Sequence, residues 1–87
     1  MKITALTTSS GNTAKNQYIA TTDEGKFFQS YNTLIAFIDN KGRVTLDENW
    51  NYSVTTSKYR NMFLGETSKE TEKKVESGIY KVANLNR

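Results

Sequence analysis

Histidine, cysteine and proline are all absent from this 87-residue chain. Without imidazole there is no commonplace general base for neutral pH, no middle member of a serine triad and none of the usual transition-metal ligand. Without thiols there is neither a disulfide framework, nor a thiolate nucleophile, nor a cysteine-rich zinc site. The lack of proline removes cis-proline turns and proline-rich linkers, so residues 1–87 read as one small domain. Long apolar runs are missing as well. The longest, residues 34–38, is the length of a strand and far short of the roughly 20 residues that a bilayer span needs.

The opening MKITAL has no extended apolar region and does not resemble a secretory signal, which leads us to expect a cytoplasmic site. Hydrophobic residues make up 36% and aromatics 11% of the chain, enough for one modest core. A mean hydropathy of -0.69 keeps the whole in the water-soluble class. Twelve basic residues against nine acidic ones give a net charge of +3, a mild bias with no dominant basic cluster.

What is present reads first as strands. Residues 3–6 open a strand, and 7–13 have the composition of a polar loop. Residues 18–22 and 26–30 flank Asp23-Glu24-Gly25, which fits a hairpin with its glycine at a left-handed position. A second unit follows, with residues 33–38 and 43–46 around Asp39-Asn40-Lys41-Gly42. Asp39 there suits an Asx turn better than catalysis. The result is a meander of three to five antiparallel strands.

Helical signals begin after residue 53. Tyr59, Met62 and Phe63 fall on one face, Ser53, Thr55 and Thr56 are alternative N-caps, and Gly65 stands where a left-handed terminator belongs, predicting a helix over 55–64. Thr67-Ser68-Lys69-Glu70 is a capping box for a second helix that Gly78 ends. Val75 is its one clear apolar residue, so this helix is expected at the surface. Residues 79–85 read as a closing strand. Strands first and helices late give an α+β fold: a small antiparallel meander, two short helices in the C-terminal half and a closing strand.

The conspicuous stretch is WNYSVTTSKYRNMFLG at residues 50–65. In one reading Trp50, Tyr52, Tyr59, Met62 and Phe63 fasten the helix to the sheet. In another, Ser53, Thr55, Thr56 and Ser57 present hydroxyls beside free helix amides and, with Lys58 and Arg60, accept an anion. In a third, Tyr52, Lys58, Tyr59 and Arg60 form an aromatic and cationic patch for a macromolecule. The acidic pairs Asp23-Glu24 and Asp47-Glu48 point adjacent side chains apart and do not suggest a metal site. No nucleophile motif or phosphate loop is recognisable, so neither metal nor cofactor is expected.

The stretch YNTLIAFIDNKGRVTLDENWNYSVTTSKYRNMFLGE resembles small, functionally unassigned proteins of phages and mobile elements of Gram-positive bacteria. The resemblance is carried by Phe28, Ser30, Tyr31, Thr33 to Ala36, then Gly42, Val44 and Leu46. It continues through a W-x-Y-S-x-T-T-x-K-Y-x-x-x-F-L-G motif from Trp50 to Gly65, and through Ser77, Gly78 and Tyr80. It implies a product acting inside a bacterial cell, and chains of this kind commonly act by binding rather than catalysis. The first expectation is therefore a non-enzymatic protein that binds a host or phage protein through Trp50, Tyr52, Lys58 and Arg60, in host takeover or in inhibiting CRISPR or restriction defence. The second is a nucleic-acid-binding accessory using Lys58, Arg60, Lys69, Lys73 and Lys74, with Ser53, Thr55 and Thr56 as further anion contacts. A homodimer paired through the edge strand at residues 3–6 is a further expectation.

Overall fold

The computed structural model describes residues 2–8, 10–51 and 53–86. The chain runs β1 (Lys2–Thr7), β2 (Thr13–Thr22), β3 (Gly25–Ser30), β4 (Thr33–Asp39), β5 (Val44–Asp47), α1 (Val54–Leu64), α2 (Ser68–Glu76) and β6 (Lys81–Ala83). Six strands form one sheet in sequence order, antiparallel throughout except between β5 and β6. The expected α+β meander with two late helices and a closing strand is present. That last pairing is parallel because the two helices form a crossover between β5 and β6, which a tight hairpin cannot replace.

Local chemistry explains the turns. The Asp39 carboxylate accepts the Lys41 and Arg43 amides, both at 2.9 Å, and the Arg43 Nε at 2.7 Å, closing the Asx turn expected there. The Arg43 amide is the leading reason that Asp39 ionises below its ordinary value. Gly25, after the β2–β3 turn, has φ 146°, and a Cβ on it would run into the Ile38 carbonyl of β4. Only glycine fits at that crossing.

β2 begins five residues before the expected start, and the expected loop over 7–13 shrinks accordingly. Asn16 makes this possible: its φ of 62° breaks the strand's regular alternation, while its carbonyl accepts the Tyr31 amide at 2.7 Å. Thr13 pairs with Thr7 of β1 across a register shift, and the strand runs on through Ala14, Lys15 and Asn16 despite their weak β-preference. The closing strand is shorter than expected, because Ile79 and Tyr80 donate their amides to the Lys74 carbonyl and finish α2 instead.

The sheet has two unlike faces. Residues opposite one another across strands share a face, so the register assigns Ile19, Phe28, Ala36 and Leu46 to one side. Phe28, Ile35, Ala36, Val44 and Leu46 form the buried core, against which Tyr59, Phe63 and Leu64 of α1, Val75 of α2, and Trp50 and Tyr80 pack. The Phe28 and Phe63 rings stack at 5.8 Å. Both helices therefore lie on this side. The other side carries the row Ile3, Ala20, Phe27, Phe37 and Thr45, ending at Lys81, with Phe27 and Phe37 stacked at 4.4 Å.

Each helix starts and ends on the expected chemistry. Ser53 caps α1 by accepting the Thr56 amide at 3.0 Å, and Gly65 closes it at φ 71°. Thr67 and Glu70 complete the reciprocal capping box of α2. Met62 departs from expectation: it is 44% exposed, not part of the core. The inward direction of α1 is centred on Thr56, Arg60 and Phe63, and at about 100° per residue Met62 swings away from it.

Under α1, Gln17 is completely buried, and its side-chain nitrogen and oxygen find no hydrogen-bond partner among the described residues. A buried, unpaired amide costs free energy that an apolar side chain of like size does not. Gln17→Leu is expected to raise stability by about 1–2 kcal/mol, measured by urea unfolding with the m-value unchanged. A loss of stability would show that the amide is paired in solution.

Candidate functional site

The junction of the two helices is organised by one cation. Arg60 lies on the inward face of α1 and is 0% exposed. Its Nη1 donates to the Trp50 carbonyl at 2.7 Å, to Ser57 Oγ at 3.3 Å and to Asn51 Oδ1 at 3.5 Å. Its Nη2 donates to Ser68 Oγ at 2.7 Å and Asn61 Oδ1 at 3.0 Å. The guanidinium also sits 4.9 Å from the centre of the Trp50 ring. The preceding turn, the body of α1 and the start of α2 are thus tied at one point. Burial lowers the Arg60 pKa while the nearby Glu66 carboxylate raises it again, and the side chain stays protonated at neutral pH.

Glu66 anchors a second cluster just beyond α1. Its side chain is 6% exposed, pairs with Lys74 Nζ at 2.7 Å and accepts the Tyr80 hydroxyl at 2.7 Å. The Thr71 hydroxyl donates to its other oxygen. Desolvation opposes ionisation of Glu66, but the Lys74, Thr71 and Tyr80 hydrogen bonds outweigh it and hold the carboxyl below its ordinary 4.5. Lys74 is raised by the same contacts, led by Glu66, and Tyr80 is raised by burial first and Glu66 second. Asp47 does comparable work for the C-terminal segment. Buried but ionised, it accepts the Asn49 and Leu85 amides and the Asn86 side chain, which together overcome its desolvation and lower its pKa.

Above Arg60 opens a groove of about 630 Å³ lined by Asn51, Ser53, Val54, Ser57, Lys58, Asn61 and Ser68. Four of these side chains, those of Asn51, Ser57, Asn61 and Ser68, accept from the Arg60 guanidinium. The buried cation consequently holds the hydrogen-bonding groups of the groove in place. Lys58 is exposed at its rim, its ammonium 5.5 Å from the Tyr59 ring. The lining offers amides, hydroxyls and one ammonium, a set suited to binding polar groups.

The residues singled out from the sequence meet different fates. Lys58 is exposed, as expected for a contact residue, and Trp50 is half-buried beneath Arg60. Tyr52 lies outside the described residues. Arg60 is not on the surface, which corrects its expected place in an exposed patch: its position shares a helical face with Thr56 and Phe63, and that face meets the sheet. Thr56 is corrected likewise, being buried with its hydroxyl 3.0 Å from that of Ser30. Ser53 spends its hydroxyl as the cap, leaving Thr55 exposed beside it. Lys69 and Lys73 are exposed, whereas Lys74 is engaged by Glu66 and Tyr80 and is not a free cation. Sequence reasoning missed Asn61, Glu66 and Ser68. Glu66, in the connection between the helices, and Lys74 of α2 are eight residues apart, a separation that carries no periodic signal. Among the described residues no three His, Cys, Asp or Glu side chains gather to hold a metal, and no helix is long and apolar enough to cross a membrane.

These features define a two-layer α+β protein with a polar groove built over a buried arginine. The chain belongs to the family of unknown function DUF8033, which it matches over residues 1–78. No curated protein and no solved structure matches it. Membership of an uncharacterised family, expected from the resemblance carried by residues from Phe28 to Tyr80, is met at that level.

Arg60→Ala removes all five donated bonds and the packing of the stem, and is expected to cost about 2–4 kcal/mol in chemical denaturation. Arg60→Lys should recover only part, because an ammonium cannot reproduce the fork. Full stability in Arg60→Lys would show that charge alone matters. Glu66 and Asp47 are lowered in the folded state, so their stabilisation is complete above their ordinary values of 4.5 and 3.8 and drains away as pH falls through the folded values. The melting temperature should therefore drop on acidification below pH 4.5, with a shallower drop in Glu66→Gln.

Proposed function

We propose that the protein is a non-enzymatic binding protein of a phage or mobile element, engaging a bacterial host protein to inhibit or redirect it, as in host takeover or anti-defence. One observation carries the reading. Val54, Lys58 and Met62 follow one another at four-residue steps along the solvent side of α1, with Val54 89% and Met62 44% exposed. Apolar side chains bracketing a cation beside a groove of preset hydrogen-bonding groups have the makings of a protein contact. The motif resemblance supports the phage setting, and the host cytoplasm is the compartment that follows from it.

A nucleic-acid role has less to stand on. Of the five cations assigned to it, Arg60 is buried and Lys74 is paired, leaving Lys58, Lys69 and Lys73 exposed. Three phosphate contacts correspond to a salt slope of only about -3 in log K against log salt.

The test is capture from a bacterial lysate on immobilised protein, with and without nuclease, comparing wild type with Lys58→Glu/Met62→Asp. Retention of a protein partner after nuclease and its loss in the folded double variant are expected. Partners that vanish with nuclease, or that bind the double variant equally, overturn the proposal.

A further inference from the structure

The groove above Arg60 has a polarity that its composition alone does not give. A guanidinium only donates, so every amide or hydroxyl that meets it turns an oxygen inward. Asn61 and Asn51 do so with their Oδ1 atoms, at 3.0 and 3.5 Å. Ser57 and Ser68 do so with Oγ, at 3.3 and 2.7 Å. What these four groups keep for the groove is hydrogen. The Asn61 amide spends one N–H on Ser68 Oγ at 3.2 Å and keeps the other, and the two hydroxyl hydrogens are held only by contacts of 3.4 Å. The exposed Lys58 ammonium adds further donors.

Charge points the same way. Among the described residues no acid lines the groove, and Arg60 beneath it pairs with no carboxylate and leaves its buried Nε without a partner. The neighbouring acids are used elsewhere: Glu66 is held by Lys74, Tyr80 and Thr71, and Glu70 caps the Thr67 amide. Glu48, in the exposed turn before Asn51, is not a lining residue. The first turn of α1 holds no acidic residue, so the positive end of its dipole is uncompensated. A groove of donors over an unneutralised cation is complementary to an anionic acceptor.

We infer that the groove receives an aspartate or glutamate side chain from an extended segment of the protein partner, with apolar residues two positions to either side; this rests on the protein-binding reading of the same surface. Spacing selects a peptide. Val54, Lys58 and Met62 stand at four-residue steps of α1, about 6 Å apart at about 1.5 Å per residue. Alternate side chains on one face of an extended chain repeat at about 6.7 Å, so over two steps helix and peptide differ by only about 1 Å. An apolar-x-acid-x-apolar segment laid along α1 therefore sets its acid beside Lys58 and its apolar side chains on Val54 and Met62, which are 89% and 44% exposed. A phosphate backbone carries a charge on every unit and would set charges against those two apolar side chains as well.

NMR titration of the isotope-labelled full chain with the end-blocked peptide Ser-Leu-Ser-Glu-Ser-Leu-Ser, up to about 5 mM, tests it. Saturable shifts should centre on Ser57, Lys58 and Asn61. Changing the peptide's glutamate to glutamine should weaken binding about tenfold or more, the weight of a charge-assisted hydrogen bond. Lys58→Gln, at an exposed position, should weaken the glutamate peptide by a similar factor with the unfolding midpoint unchanged. Asn61→Asp is the sharper variant. Its carboxylate still accepts from Arg60 but replaces the amide donor with negative charge, so the fold should hold while peptide binding is lost. Equal binding of the two peptides, binding retained in Asn61→Asp, no saturable shift at these residues, or displacement of the peptide by a short oligo-dT overturns the inference. A host protein retained after nuclease without peptide binding sinks this inference and leaves the protein-binding reading standing, whereas peptide binding with nuclease-sensitive capture does the reverse.

Discussion

A single guanidinium, buried where α1 meets α2, is the constraint on which the helical half of this protein depends. Taking Arg60 out of water is expensive, and five donated hydrogen bonds with a tryptophan ring alongside offset that cost. No carboxylate pairs with it directly among the described residues, and Glu66 acts on it at longer range. A fork of fixed geometry dictates where its acceptors must stand. It thereby orients α2 against α1 and aligns the groove lining, so stability and any recognition at the groove share one cause.

The sheet has the converse problem. Its helix side closes over only five buried hydrophobic residues, and polar groups fill the periphery: Gln17, Ser30, Thr56, Thr71 and Asp47 are all buried with them. Most of these are paired, as the Ser30–Thr56 and Asp47–Asn86 contacts illustrate. The other side exposes a stacked Phe27–Phe37 pair in a row that ends at Lys81. Two layers are the minimum for a sheet with one apolar face, and this sheet has apolar residues on both.

How far the residues alone disclosed this architecture depended on the range of the interaction involved. The Asx turn at Asp39, the Ser53 cap and the Thr67–Glu70 box were legible because each closes within four residues of itself, whereas the need for glycine at position 25 comes from Ile38 on the neighbouring strand. Helix length and order followed from the same signals. The candidate site was less legible. Lys58 was placed rightly at the surface, while Arg60 was mistaken for its neighbour in kind, since a guanidinium pattern in sequence does not say whether acceptors await it inside. Asn61 and Ser68 are ordinary surface residues until Arg60 reaches both.

Chain chemistry settles which elements form and where they stop, because propensity, capping and turn geometry are contests decided among near neighbours. It also rules out imidazole and thiol catalysis outright, since those groups are not in the chain. Packing settles the remainder. Whether Arg60 is a contact or a cornerstone, whether Met62 is core or rim, and whether the last strand runs parallel were decided only when α1 and α2 settled on one face of the sheet. Burial and desolvation belong to that arrangement and have no local signature.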